Sequence, residues 1–178
     1  PASDPQYDWE GWVSPLPGEK NPERGYLHTA NSRPDHPAAG EITPAYLPPW
    51  RANRIEALIK KTPLHNVASS QQLQLDWLDT HAQSAVPRFM KDIPPDTNAC
   101  AAALHNWDFD TNPDSTGAAV WAVFQGELLS HALNDDLGED GTKMYLASAV
   151  NSRTVLDGNW GHFVDDETVA IRHALEAT

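Results

Sequence analysis

Residues 50–61 read WRANRIEALIKK, and here the chain changes character. Within residues 51–61, Ile55, Leu58 and Ile59 recur at helical spacing and share one face. The chain before this point is dominated by proline. Ten of the 15 prolines (Pro1, Pro5, Pro15, Pro17, Pro22, Pro34, Pro37, Pro44, Pro48 and Pro49) fall in the first 50 residues. Proline has a fixed φ and no backbone N–H, so this density excludes long helices and central strands. Residues 1–49 are therefore expected to form an extended leader. Its one short strand is expected over 25–30 (GYLHTA), with pairing partners outside this chain. Residues 50–178 are expected to form a helical domain.

Downstream, residues 64–93 carry Val67, Leu73, Leu75, Trp77, Leu78, Val86, Phe89 and Met90, with Pro87 as a kink or a join between two helices. Asp96 can cap a short helix from Thr97 to about Asn106. Asp114 or Ser115 can cap the next, which runs to about Leu133 and carries Val120, Trp121, Val123, Phe124, Leu128 and Leu129. Residues 134–141, NDDLGEDG, read as a polar loop with helix-stopping glycines. A further helix is expected over 142–150, and Asp165 or Asp166 caps a last one ending near Ala177. The fold class is mainly α: five or six helices after a Pro-rich leader with one or two short strands. The chain opens at PASDPQ without an initiator Met, and its last helix reaches the terminus with no stop signal. Both are expected of a processed or excised piece of a longer polypeptide.

Charge narrows the partners. Twelve Lys and Arg against 25 Asp and Glu give a formal net charge of −13. Phosphate backbones and anionic membranes repel such a chain, so no nucleic acid is expected. No stretch approaches the ~18 apolar residues of a membrane span. Hydrophobic residues make up 40% and include seven tryptophans, enough for a modest core. The single cysteine, Cys100, lies among Ala99, Ala101, Ala102 and Ala103 and reads as a small buried helix residue. Nothing around it resembles a catalytic thiol signature.

No self-contained active site emerges. GxGxxG, the Walker loop, GxSxG and HExxH are all absent. The eight histidines do not fall at metal-ligand spacing, and His131 and His173 read as helix-surface or core-edge groups. Residues 108–114, DFDTNPD, alternate oxygens like the start of a calcium loop. Pro113 stands where that loop needs Gly, and Ala119 where it needs a bidentate Glu. Turn formers followed by the cap of a helix are the better reading. Residues 134–140 read as a solvated acidic loop, with a weak cation site as the alternative. No metal or cofactor is expected from either run.

Four elements occur in one order across residues 7–125. The leader 8–34, DWEGWVSPLPGEKNPERGYLHTANSRP, presents Asp8-Trp9, Gly11, Asn21-Pro22, Gly25-Tyr26 and Thr29-Ala30-Asn31. Trp50 to Ile55 follows, then Gln74-Leu75-Asp76 with Pro87, then LHNWDFDTNPDS at 104–115. Together they resemble the penicillin acylase family of N-terminal nucleophile hydrolases. The resemblance implies a precursor that cuts itself into two chains and exposes a Ser at the start of the second. That Ser attacks an amide, and its own α-amino group, titrating near ~8, takes the proton. The turn asparagine then donates to the oxyanion, which maps onto Asn31. An arginine of the "RI" helix orients that network, which maps onto Arg54; Arg51 competes, but Arg54 directly precedes Ile55 as the pattern requires. Trp107-Asp108 reads as structural.

There are departures. Ser32 follows Asn31 where the family often has a second Asn, and Pro1 cannot be the nucleophile. Residues 158–162, GNWGH, have the flavour of a family "W-x-W-G-x-x-H" element but precede a helix and are not equated with it. The resemblance thus implies a piece of the second chain, with the site completed by its remaining segments and the first chain of a heterodimer. The implied substrate is a small linear amide, with β-lactam side chains, acyl-homoserine lactones and lipopeptides all open. A periplasmic or secreted location is implied for the full-length protein, and a structural calcium near Glu41 is a weak further implication. The alternatives are a non-catalytic helical interaction domain and an acidic metal-binding module centred on Asp108 to Asp114.

Overall fold

The computed structural model describes residues 10–11, 16, 18–36, 39–43, 45–147, 156–157 and 166–178. Proline governs the start. Among its described residues the leader holds a single turn of helix, α1 (Ala39–Ile42), and α2 (Trp50–Lys61) begins directly after Pro49. Residues 25–30, expected as a strand whose partners lie outside this chain, have no ladder within the described residues. A strand needs a row of partner groups, and among the described residues the leader shows a single bridge: Ser32 pairs with Leu47 in parallel, with Leu47 N–H donating to Asn31 O at 2.9 Å.

The remaining helices are α3 (Val67–Gln74), α4 (Thr80–Phe89), α5 (Ala99–His105), α6 (Thr116–Leu146) and α7 (Glu167–Ala177), so the described chain is mainly α. Side-chain caps start them. The Asn66 and Ser69 side chains form a capping box at α3. Asp79 Oδ1 accepts from His81 and Ala82 N–H at α4. Ser115 caps α6 and Asp166 caps α7, as their sequence positions predict. At α5 the cap is Asn98 rather than Asp96: its Oδ1 accepts from Ala101 N–H at 2.8 Å. The same side chain donates to Leu175 O, a tertiary contact that selects it over Asp96.

Two breaks fall differently from expectation. Residues 64–93 divide at 75–79, not at Pro87. Thr111 N–H donates to Trp77 O and Asp79 N–H to Phe109 O, both at 2.9 Å, so a segment 30 residues away holds the chain extended. Pro87 lies inside α4 near its end, where it forfeits only the bond to Gln83 O. The polar loop expected at 134–141 is shorter than predicted: the residues around it are helical, and the glycine break falls at Gly138 (φ 66°, ψ 169°), where two helices meet across a kink and are described together as α6. Buried Ala132, Leu133 and Thr142 keep both sides of the kink on the core, while Asp135, Asp136, Glu139 and Asp140 face solvent. The helix expected over 142–150 is thus the end of α6; residues 148–150 lie outside the described residues.

Core formation centres on α6. Trp121, Phe124, Leu128 and Leu133 meet Phe89 of α4, Leu104 of α5, Leu156, and Ile171 and Leu175 of α7. Phe89 and Phe124 pack edge to face with centroids 5.9 Å apart. Cys100 is half-buried at the margin of this core. His131 and His173 stack across α6 and α7 at the surface, 5.1 Å apart. Helix α2 stands at the edge, packed on α3 and α4 and burying only Ala52. Its exposed side therefore faces the leader.

Candidate active site

The leader is strapped across α2. Residues 21–25 turn sharply: Asn21 and Gly25 adopt positive φ, and Gly25 N–H donates to Pro22 O. The chain then runs to Tyr26, whose hydroxyl donates to Glu56 Oε1 at 2.9 Å. Lys60 pairs with the same carboxylate oxygen, also at 2.9 Å. The hydrogen bond from Lys60, then that from Tyr26, hold the Glu56 carboxyl below its ordinary range. Desolvation, followed by Glu56, pushes the Tyr26 phenol up.

Five residues on, the strap reaches its second anchor. Ala30 is buried, and Asn31 takes φ 60°, the left-handed region that asparagine tolerates better than other residues with a side chain. Arg51 Nη2 donates to Ala30 O at 3.0 Å and to Asn31 Oδ1 at 2.7 Å. With Leu47 on the Asn31 carbonyl, both backbone and side-chain oxygens of Asn31 are engaged. The amide nitrogen, Nδ2, has no partner among the described residues.

Arg54 lies one turn further along α2. Its Nε donates to Asp76 Oδ2 at 2.8 Å and its Nη2 to Asp76 Oδ1 at 2.5 Å, a two-point fork. This bond holds the Asp76 carboxyl below its ordinary range and raises the Arg54 guanidinium. The structure therefore joins Asn31 to Arg51 and commits Arg54 to Asp76, just after α3. In the sequence Asp76 stood only within the Gln74-Leu75-Asp76 element, and Arg51 as the competing arginine three residues before Arg54. What could not be seen was which arginine lay under the turn.

Other sequence candidates resolve into scaffolding. Asp110 N–H donates to Asp108 Oδ1, Asn112 N–H to Asp110 Oδ1 and Asp114 N–H to Asn112 Oδ1. The alternating oxygens are a run of Asx turns leading into the Ser115 cap. Among the described residues no three His, Cys, Asp or Glu converge to hold a metal. Trp107 is structural: it is buried and donates from Nε1 to Asp110 O at 2.8 Å. The Glu41 side chain, Asp8-Trp9 and residues 158–162 lie outside the described residues.

The sequence model of the penicillin amidase family matches residues 1–177. The chain belongs to that family. Its membership covers the leader, both arginines and the helical body together. Among curated relatives, the acyl-homoserine lactone acylase QuiP of Pseudomonas aeruginosa is 28% identical over 161 residues, covering 79% of this chain and 19% of that protein. The QuiP acylase of Pseudomonas putida is 25% identical over 186 residues, covering 92% and 22%. That of Pseudomonas fluorescens is 24% identical, covering 94% and 23%. The chain thus spans about a fifth of the length of the relatives it matches. No solved structure matches.

Proposed function

We propose that this chain is the oxyanion-binding part of an amide-hydrolysing acylase whose nucleophile lies on another part of the polypeptide. The observation that carries the reading is the state of Asn31. Its side-chain oxygen is occupied by Arg51, so its N–H₂ group is the free end. A neutral amide held this way donates a directed N–H to developing negative charge without adding charge to the ground state. The nucleophile is an N-terminal Ser of the second chain, deprotonated by its own α-amino group. It attacks the carbonyl carbon of a linear amide, and the carbonyl oxygen becomes the oxyanion that Asn31 Nδ2 stabilises. Collapse expels the amine, and water then releases the acyl group.

Arg54 supports this site from α2, held to Asp76 and setting the helix under the leader. The first chain and the remaining segments of the heterodimer complete the pocket, in a periplasmic or secreted protein. Relatives named as acyl-homoserine lactone acylases favour an N-acyl amide with a small polar amine as substrate.

In the acylase that carries this segment, Asn31→Ala is expected to lower kcat by about 10²–10³-fold with little change in KM, measured on a fatty-acyl anilide. Wild-type kcat in that variant removes the oxyanion assignment. The 178-residue chain alone is expected to be inactive on phenylacetyl and fatty-acyl anilides, and turnover by it would overturn the placement of the nucleophile.

A further inference from the structure

We infer that Arg51 is the positioning residue that sets which way the Asn31 amide points. The inference rests on the oxyanion reading of Asn31 and extends it to a residue that the sequence pattern sets aside in favour of Arg54.

An asparagine amide has two ends of nearly equal size. One accepts hydrogen bonds and the other donates. Left in water, it can present either end to a substrate. A guanidinium has five N–H donors and no acceptor. An amide seated on Arg51 therefore turns its oxygen inward, as the 2.7 Å bond from Nη2 to Asn31 Oδ1 records. The flipped amide would set N–H against N–H. The same Nη2 donates to Ala30 O, so the guanidinium itself is fixed by the backbone immediately before the turn.

Three further features hold the lock in register. The left-handed φ of Asn31 and the Leu47 bond to its carbonyl fix the backbone that carries the amide. The helix start after Pro49 puts Arg51 in the first turn of α2, where the strap crosses. Arg54, one turn on, gives its Nε–Nη2 edge to Asp76 and makes no bond to Asn31. The two arginines thus divide the work: Arg54 fastens α2 to the segment after α3, and Arg51 aims Asn31.

The test is a double-mutant cycle in the acylase that carries this segment, with kcat, KM and melting temperature read for each variant. Arg51→Gln offers Asn31 a donor and an acceptor alike, so the amide is no longer held one way. It is expected to lower kcat about tenfold, the scale of re-ordering one side chain, with KM within about twofold. Arg51→Lys, whose head is again donor-only, is expected to recover part of that loss. Asn31→Ala with Arg51→Gln is expected to be no slower than Asn31→Ala alone, because an aiming residue has nothing left to aim. Wild-type kcat in Arg51→Gln, or losses that multiply in the double variant, overturn the inference. If Arg51→Gln fails to fold, Arg51→Lys carries the same cycle, with a small kcat loss that must vanish on the Asn31→Ala background. Wild-type kcat in Asn31→Ala removes the oxyanion reading and this inference together. A slow Asn31→Ala beside an unaffected Arg51→Gln removes this inference alone.

Discussion

At position 117 there is room for a hydrogen and nothing larger. A Cβ there would run into Trp107, whose Cβ and ring atoms crowd the second residue of α6. Two effects oppose each other in Gly117→Ala. Alanine is the better helix residue by about 1 kcal/mol. Overpacking a buried aromatic contact costs about 1–3 kcal/mol. The collision is with the ring's root, Cβ and Cγ, which cannot swing away, so overpacking wins. Gly117→Ala is expected to lower the urea midpoint; an unchanged or higher midpoint contradicts this packing. The neighbouring Asx run shows how far residue spacing reaches. The alternation of oxygens over 108–114 was visible, and its competing uses were a metal or a turn. Backbone N–H groups of the same segment take those oxygens, which favours the turn.

Among the elements, α3 has the weakest hold on the body. None of its residues is buried, and Leu64, Val67 and Leu75 around it are exposed. Its capping box and the Arg54–Asp76 fork just beyond it hold it in place. That fork makes its attachment pH-dependent. Asp76 titrates below its ordinary 3.8 because Arg54 bonds its charged form. A lowered carboxyl contributes stability that is full above 3.8 and is lost as pH falls through the depressed value. Asp76→Asn is expected to be less stable than the wild type by about 1–2 kcal/mol near neutrality, with the gap closing as pH falls below 3.8 and Asp76 takes up its proton. Chemical denaturation of both proteins across that range checks it, and a gap independent of pH would contradict it. The break at 75–79 belongs to this scale as well. Helical periodicity ran through it because Leu75 and Leu78 fit either pattern, and the bonds that open it come from residues 109–111.

For the molecule as a whole, α7 closes the core. Ala170, Ile171, Ala174 and Leu175 are buried against α6, and Leu175 O receives the Asn98 amide. Burying Ile171 and Leu175 alone contributes about 3–6 kcal/mol, comparable with the total stability of a domain. Deleting residues 166–178 is expected to abolish the cooperative thermal transition seen by circular dichroism. A sharp melt within a few degrees of the intact chain would show that α7 is dispensable. The core and the site lie at opposite ends of this economy. Helices α4 to α7 build the body, and α2 stands at its edge to carry the leader.

The sequence alone determined the helical class, the family and the proline-rich leader. These depend on local chemistry: missing N–H groups, apolar spacing, and caps such as Ser115 and Asp166 beside the helices they start. It also singled out Asn31, through the resemblance of the Thr29-Ala30-Asn31 turn to the family's; the left-handed φ that suits an asparagine there belongs to the structure. Tertiary structure decided which partner each long side chain took. Arg51 and Arg54 are neighbours on one helix with the same guanidinium. Only the placement of Asn31 beside Arg51 and of Asp76 beside Arg54 separates one from the other. The leader stayed unpaired for the same reason, since a strand is made by its neighbour and none is offered to residues 25–30 within the described chain.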